Sequence, residues 1–263
     1  MAVVDVVQGE LPLVLAMPHV STAMPADVWA ALNQTGRLLA DTDWHVDRLY
    51  DGLLPGASVV KAGFHRYVID ANRDPSGESL YPGQATTGLV PTTDFDGAPI
   101  WAEVPNRDEI ARRLAAFHAP YHAALSAELA RVKARHGIAV LFDCHSIRSR
   151  IPRLFDGVLP VLNLGTYDGA SCGGEVQSTA WAQTSGAPYP SVLNGRFKGG
   201  WATRHYGRPK NGVHALQMEI AQRGYLADEA PPWAFDDAKA NALRRHLKDL
   251  LDALVETALE TTP

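Results

Sequence analysis

The middle of the chain reads Val140-Leu141-Phe142-Asp143-Cys144-His145-Ser146. Its apolar first half predicts a short strand that is buried on both faces, as in a parallel sheet covered by helices. Polar side chains follow at once, and the carboxyl ends of strands are where open α/β sheets bind their ligands. Asp143 and His145 therefore mark a candidate site. The alternative is that both only hydrogen-bond a nearby loop, because an Asp-x-His pattern alone has little specificity.

Length and composition indicate an ordinary globular protein. The chain has 263 residues, of which 46% are hydrophobic and 20% charged. That is enough apolar material for a large core, and it is not the composition of a disordered chain. We expect one α/β domain over residues 1–263. A formal net charge of -5 argues against nucleic acid or an acidic membrane as the main partner, because those partners need a basic surface.

The expected compartment is the cytoplasm. Residues 1–10 carry acids and no basic region, and no apolar run is long enough to span a bilayer. The two cysteines, Cys144 and Cys172, cannot build a disulfide framework, which agrees with a reducing environment. We therefore expect no membrane partner. The sequence carries no signal for a particular oligomeric state.

Hydrophobic periodicity and breaker residues predict the other elements of the chain. The predicted strands cover residues 12–17, 57–62, 67–70, 161–164 and 213–220, and the predicted helices cover residues 25–32, 41–54, 107–136 with an interruption at Pro120, and 233–261. Residues 75–105 form a long irregular excursion, and loops of that length are usually functional or disordered. Residues 194–200 are basic and glycine-rich without the spacing of a phosphate-binding loop, so a plain hairpin turn is the alternative there.

Two histidines leave predicted strand ends, His19 after the first strand and His145 after the central one. Two histidines and one acid would supply the three protein ligands of a catalytic zinc site and leave the fourth position for water. The acids between them in sequence are Asp43 and Asp47, although Asp43 could instead cap a helix. Asp143 is better placed to orient His145 than to bind the metal ion.

Glu219 is the candidate general base. It lies in residues 213–220, where apolar and polar positions alternate as in a strand with one functional face. A glutamate in such a strand is costly to bury unless it has partners or a task. As a base it would take a proton from the attacking water and return it to the leaving amine. The alternative is an edge strand on which Glu219 faces water.

A cysteine nucleophile paired with a histidine is the competing chemistry. Small residues surround Cys172 in residues 169–174, which would allow a substrate to approach closely but would also suit a simple turn. Cys144 has the properties of a small buried apolar group.

Seven stretches, in order over nearly the whole chain, carry a family resemblance. They are Met17-Pro18-His19, Asp41-Thr42-Asp43-Trp44-His45, Arg66-Tyr67-Val68-Ile69-Asp70, Leu80-Tyr81-Pro82-Gly83-Gln84, Asp143-Cys144-His145-Ser146-Ile147, Asn194-Gly195-Arg196-Phe197-Lys198-Gly199-Gly200 and Gln217-Met218-Glu219. Together they closely resemble the N-formylglutamate amidohydrolase family. The resemblance implies hydrolysis of N-formyl-L-glutamate to L-glutamate and formate in histidine degradation. It also implies one zinc ion and a three-layer α/β/α sandwich around a mixed, mostly parallel sheet, as in zinc carboxypeptidases and aspartoacylases.

The resemblance also implies roles for individual residues. His19 and His145 would be zinc ligands. Zinc carboxypeptidases and aspartoacylases carry the acidic ligand three residues after the first histidine, where this chain has Thr22. The acid must therefore come from elsewhere, and we choose Asp43. Glu219 falls where those relatives carry their catalytic glutamate.

The substrate that the resemblance implies has two carboxylates to hold. Asn72 and Arg73 are similar to the Asn-Arg pair that grips a substrate carboxylate in those relatives, although Ala71 stands where the pattern has leucine. A guanidinium group binds a carboxylate in bidentate geometry, so we rank Arg73 first among the substrate contacts, then Arg66 and Arg196. N-formylaspartate or another N-acyl acidic amino acid remains an alternative substrate, because one methylene changes discrimination by only about 1–3 kcal/mol. A non-catalytic amino-acid-binding relative is the second class of function.

Overall fold

The computed structural model describes residues 1–80 and 83–261. Tyr81 and Pro82, which belong to one of the stretches quoted above, lie outside the described residues. The strands of the described part are β1 (Val4–Val7), β2 (Leu13–Met17), β3 (Ser58–Ala62), β4 (Ala139–Ile147), β5 (Leu162–Gly165), β6 (Ser191–Leu193) and β7 (Val213–Ala221). They form one sheet in the order β1-β3-β2-β4-β7-β5-β6. Only β1–β3 and β5–β7 pair antiparallel, so the sheet is mixed and mostly parallel.

The helices cover both faces of this sheet. They are α1 (Ala26–Ala31), α2 (Val46–Tyr50), α3 (Arg107–Arg113), α4 (Ala119–His136), α5 (Gly174–Gly186), α6 (Trp201–Tyr206) and α7 (Asp237–Glu260). Apolar residues of α2, α5 and α7 pack on one face of the sheet, and those of α1 and α4 pack on the other. The predicted three-layer α/β/α sandwich is thereby confirmed.

The side chains on one face of the two central strands, β4 and β7, change from apolar to polar along the strands. Successive side chains of a strand point to opposite faces, so residues two apart share a face. On the α4 side of β4, Leu141 belongs to the apolar core, whereas Asp143 and His145 continue the same face as polar groups. On the neighbouring strand β7 the same face ends with Gln217 and Glu219. The carboxyl halves of β4 and β7 therefore form a buried polar surface inside the sheet.

The central strand is longer than predicted. It runs to Ile147, so Asp143 and His145 are strand residues and not part of a loop that follows the strand. Pairing with β7 over all nine positions explains the extension. The N–H and C=O groups in the polar half of β4 also find hydrogen-bond partners in this pairing. The polar side chains are consequently held by the sheet itself.

The helix predicted over residues 41–54 is wrong in extent, since only Val46–Tyr50 is helical. Its N-terminal cap is His45, in a left-handed conformation with φ 59°, and Asp43 lies before it. The Asp43 N–H donates to the His19 carbonyl oxygen at 3.0 Å. A tertiary hydrogen bond therefore replaces the helical one, and the alternative of Asp43 as a helix cap is excluded.

Residues 67–70 do not form the predicted strand. This apolar segment lies in the second core, where its backbone is satisfied by turns and by the Asp70 N–H donating to the Leu89 carbonyl oxygen at 2.7 Å. Burial in this core thus accounts for the apolar pattern, which a strand would also have.

The remaining helix predictions differ mainly at their ends. The region 107–136 contains α3 and α4 with a π-helical segment, Leu114–His118, between them, and Pro120 occupies the first turn of α4, where its missing N–H is tolerated. The last helix begins later than predicted because the Asp236 side chain accepts hydrogen bonds from the first N–H groups of α7. Within the described ranges, none of these helices combines the length and apolarity that crossing a membrane requires.

Candidate active site

A cavity of about 620 Å³, including its open mouth, lies at the carboxyl ends of β2, β4 and β7. All of the site residues predicted from the sequence line it, namely His19, Asp43, Arg66, Asn72, Arg73, His145, Arg196 and Glu219. Residues from distant parts of the chain therefore meet in one place.

Three of these residues form a buried group that could hold a metal ion. One ligand atom each from His19, Asp43 and His145 lie within 4.8 Å of one another. The Asp43 Oδ2 atom lies 3.0 Å from His145 Nδ1 and 3.7 Å from His19 Nδ1. Two imidazole nitrogens and a carboxylate oxygen are donors that zinc commonly takes in catalytic sites.

The other nitrogen of each imidazole is already engaged. His19 Nε2 lies 2.7 Å from Asp70 Oδ1, and His145 Nε2 lies 3.1 Å from Asp143 Oδ2. Such carboxylate partners orient metal-binding histidines and raise their basicity. His19 Nδ1 is buried and has no hydrogen-bond partner among the described residues, although it points to the shared oxygen of Asp43. The donor set therefore fits a divalent metal ion.

The electrostatics of this group also favour a cation. Burial opposes a charge on His145, but the carboxylates of Asp143 and Asp43 outweigh it and hold the pKa of the imidazole well above its usual range. Burial likewise raises the pKa of Asp43, yet hydrogen bonds and charge from His145 and His19 hold it below its usual range. The field that favours a proton on His145 also favours a metal ion in its place.

The structure distinguishes between the two acids that the sequence left open. Asp43 is buried beside both histidines, whereas Asp47 is exposed on α2. Thr22, at the position where the carboxypeptidases carry their acid, is exposed as well.

Glu219 lies inside the sheet and not at an edge. Its strand, β7, is bordered by β4 and β5, and Glu219 faces the position of His145 across the ladder. The side chain is 6% exposed and lines the cavity. Burial, which is only partly offset by the charge of His145, raises the pKa of Glu219 to about 7. A carboxyl group with such a pKa can exchange protons near neutrality.

The three arginines of the cavity have different surroundings. Arg66 donates to Asp70 Oδ2 at 2.7 Å and lies 3.7 Å from Asp43, so it balances buried carboxylates. Arg73 donates to the carbonyl and hydroxyl oxygens of Thr87 at 2.8 and 2.9 Å. Substrate contact by these arginines stays a prediction.

Arg196 comes from the glycine-rich segment 194–200. It donates to the carbonyl oxygens of Leu154 and Ala85 at 2.8 and 2.9 Å. These bonds fix the guanidinium at the cavity wall and connect three separate loops. The segment is thus part of the site and not an isolated hairpin turn.

Asn72 contacts the partners of the metal-binding group. Its Nδ2 donates to Asp143 Oδ2 at 3.3 Å and lies 2.9 Å from His145 Nε2. Its Oδ1 accepts from the Ala202 N–H at 2.9 Å. Both ends of the Asn72 amide therefore already have hydrogen-bond partners within the protein. The predicted contact between Asn72 and a substrate carboxylate stays a prediction.

Sequence reasoning missed Asp70, which is buried between His19 and Arg66. A signal was present, since two charged residues four apart bracket an apolar run. It also missed His118 and His122, whose Nε2 atoms lie 3.0 and 2.8 Å from the carbonyl oxygens on either side of Asn72. Their spacing of four residues within the predicted helix 107–136 was a signal, because it places both histidines on one helix face.

Both cysteines lie away from the cavity lining. Each is buried, and burial raises the pKa of Cys172 to about 12 and that of Cys144 well above its usual range. A thiol in such surroundings is a weak nucleophile, because the thiolate is the reactive form.

We expect Asp70→Asn to lower metal affinity about 10–100-fold, because the His19 imidazole loses its carboxylate partner. Equilibrium dialysis against zinc measures this affinity. Asp249→Asn, a substitution at an exposed position of α7, is the matched control and should bind metal like the parent. Equal affinity in the two variants would contradict the assigned role of Asp70.

The fold and the cavity define an α/β enzyme with a buried His-Asp-His group that could hold a metal ion, next to a buried carboxylate. The chain belongs to the N-formylglutamate amidohydrolase family, whose family model matches residues 11–226. This confirms the resemblance seen in the sequence and makes the chain an amidohydrolase.

Individual relatives agree with this assignment. The chain is 47% identical over 252 residues to N-formylglutamate deformylase of Pseudomonas aeruginosa, with 94% of each chain covered. It is 46% identical over 259 residues to N-formylglutamate deformylase of Pseudomonas putida, with 96% of each covered. The crystal structure of N-formylglutamate amidohydrolase from Ralstonia eutropha JMP134 has a TM-score of 0.78 at 27% identity and covers 100% of this chain and 97% of that one.

Proposed function

We propose that this chain hydrolyses the formamide bond of N-formyl-L-glutamate to L-glutamate and formate. The observation that carries the proposal is the buried group of His19, Asp43 and His145 beside Glu219, in a cavity whose wall also carries arginines. The names of the Pseudomonas relatives support the same substrate. We further propose that zinc is the metal and that residues 1–263 form one cytoplasmic domain. The reaction is then the last step of a histidine degradation route.

His19, Asp43 and His145 would hold the zinc ion. When bound, the ion supplies Lewis-acid chemistry, which lowers the pKa of water and polarises a carbonyl group. Glu219 takes a proton from the water whose oxygen attacks the formyl carbon. As the carbon–nitrogen bond breaks, the same carboxyl group returns that proton to the amine nitrogen of glutamate. Proton uptake and release are balanced within one turnover.

The substrate carboxylates bind at the arginine side of the cavity. Arg73 and Arg196 are the proposed main contacts. Both line the cavity, and the side chain of Arg73, which also lies 3.8 Å from Asp70, is 18% exposed against 6% for that of Arg66. Backbone and hydroxyl oxygens hold both guanidinium groups in place. Pre-organised guanidinium groups bind carboxylates with less loss of side-chain entropy than flexible lysines.

Formate release tests the proposal. Purified protein is assayed for zinc content and for formate released from N-formyl-L-glutamate and N-formyl-L-aspartate. Stoichiometric zinc and faster release from the glutamate derivative are expected. Faster release from the aspartate derivative would make N-formyl-L-aspartate the preferred substrate. The non-catalytic alternative would be supported if the folded, metal-loaded protein bound N-formylglutamate without releasing formate.

Because water attacks directly in this proposal, we expect Cys172→Ala to keep most of the activity and to form no acyl-enzyme. Cys144→Ala should behave in the same way, with some loss of stability, since it removes a buried group from the core. Turnover rates and intact-protein mass spectra during turnover check both variants. A formyl adduct on the parent, absent from a folded and inactive Cys172→Ala, would establish nucleophilic catalysis instead.

A further inference from the structure

We propose that Gln217 is a positioning residue that fixes the Glu219 carboxylate in the orientation needed for proton transfer. The proposal rests on the proposed function, in which Glu219 is the general base. Gln217 lies two positions before Glu219 on β7, so both side chains share the face that lines the cavity. Gln217 is 4% exposed, and its Nε2 donates to Glu219 Oε2 at 2.9 Å.

The orientation of the Gln217 amide is determined by its other hydrogen bond. The Gly200 N–H donates to Gln217 Oε1 at 2.6 Å. A backbone N–H can only donate, so the oxygen of the amide must face Gly200 and the nitrogen must face Glu219. The nitrogen then holds one carboxylate oxygen of Glu219 and leaves the other to exchange protons.

Gly200 can hold Gln217 because it has no side chain. A Cβ atom at this position would lie 2.3 Å from Asn72 Nδ2. The close approach lets one short segment support two amides, since the Ala202 N–H donates to Asn72 Oδ1 while the Gly200 N–H donates to Gln217. Gly200 thus has a task that a plain turn would not require.

A buried glutamine could instead serve only the fold, by pairing with the Gly200 N–H. The two roles differ in what happens when the Glu219 carboxylate is absent. A residue that acts through Glu219 contributes nothing further to turnover once Glu219 is replaced, whereas a residue that only supports the fold keeps its effect.

Gln217→Glu tests the hydrogen bond to Glu219 separately from the hydrogen bond to the Gly200 N–H. The new carboxyl group can still accept from the Gly200 N–H, but two buried carboxyl groups this close share one proton, so Glu219 exchanges a neutral amide donor for a competing acid and is no longer a free base. We expect kcat on N-formyl-L-glutamate to fall about 10–100-fold, with KM and zinc content little changed. Gln183→Glu, which makes the same charge change at an exposed position of α5, should leave kcat unchanged.

The decisive comparison is the double-mutant cycle with Glu219→Gln. Adding Gln217→Glu to Glu219→Gln should cause no further loss of kcat. An additive loss, or a Gln217→Glu enzyme with kcat of the parent, would overturn the proposal. Gln217→Met replaces Gln217→Glu in the cycle if the latter does not fold. The general-base role fails separately, if Glu219→Gln alone keeps full activity.

Discussion

Glu219→Gln should lower kcat by about 10²–10⁴-fold, which is the usual contribution of a positioned general acid–base group. The substitution keeps the shape of the side chain and most of its hydrogen bonding but removes the proton acceptor. Because Glu219 lines the cavity outside the metal-binding group, zinc content and KM should change little. Steady-state formate release and metal analysis on the same preparation measure both quantities.

This variant separates three possible roles of Glu219. A metal ligand would release zinc on substitution, and a residue outside the mechanism would leave turnover close to that of the parent. Glu78→Gln, at an exposed position, is the matched control and should be fully active. Near-parental turnover in Glu219→Gln would remove this residue from the mechanism.

His145→Ala should empty the metal site and reduce turnover by about 10³-fold or more, because metal catalysis contributes several kcal/mol to transition-state stabilisation. Asp43→Ala should have the same effect, since its carboxylate lies between the two histidines. Asp47→Ala is its control, because that side chain is exposed on α2. Inductively coupled plasma mass spectrometry gives the zinc content of each variant.

A stoichiometric zinc ion in a folded His145→Ala protein would exclude the assigned ligand set. If Asp47→Ala lost zinc and Asp43→Ala retained it, Asp47 would be the acidic metal ligand in place of Asp43. Thermal unfolding of each variant is measured in parallel, because substitutions in a buried polar group also lower stability.

The sequence predicted the features that depend on strand periodicity. Residues at the carboxyl ends of buried strands meet at one edge of a parallel sheet, so His19 and His145 could be placed together without knowledge of the fold. Glu219 followed from the cost of burying a lone carboxylate. These arguments use only local pattern and general rules.

The parts that failed depend on tertiary contacts. Asp43 is held by the His19 carbonyl and not by a helix, and the apolar residues 67–69 are buried in the second core. Asp70 orients His19 across 51 positions of sequence, and Gln217 is oriented by Gly200. Hydrophobic periodicity does not predict such pairs. The residues around each partner form the same local pattern whether or not the other partner is nearby.

In the proposed mechanism the catalytic groups and the groups that select the substrate come from different parts of the fold. The polar halves of β4 and β7 carry the catalytic groups. The proposed acid–base and metal-binding groups of these strands, His145 and Glu219, are anchored in the sheet, and sites built on such elements are held more accurately than sites on loops. The proposed carboxylate contacts, Arg73 and Arg196, come from loops instead. Loops tolerate insertions and replacements that strands do not. An engineer seeking a different acyl amino acid as substrate would therefore redesign the loops and leave the strands unchanged.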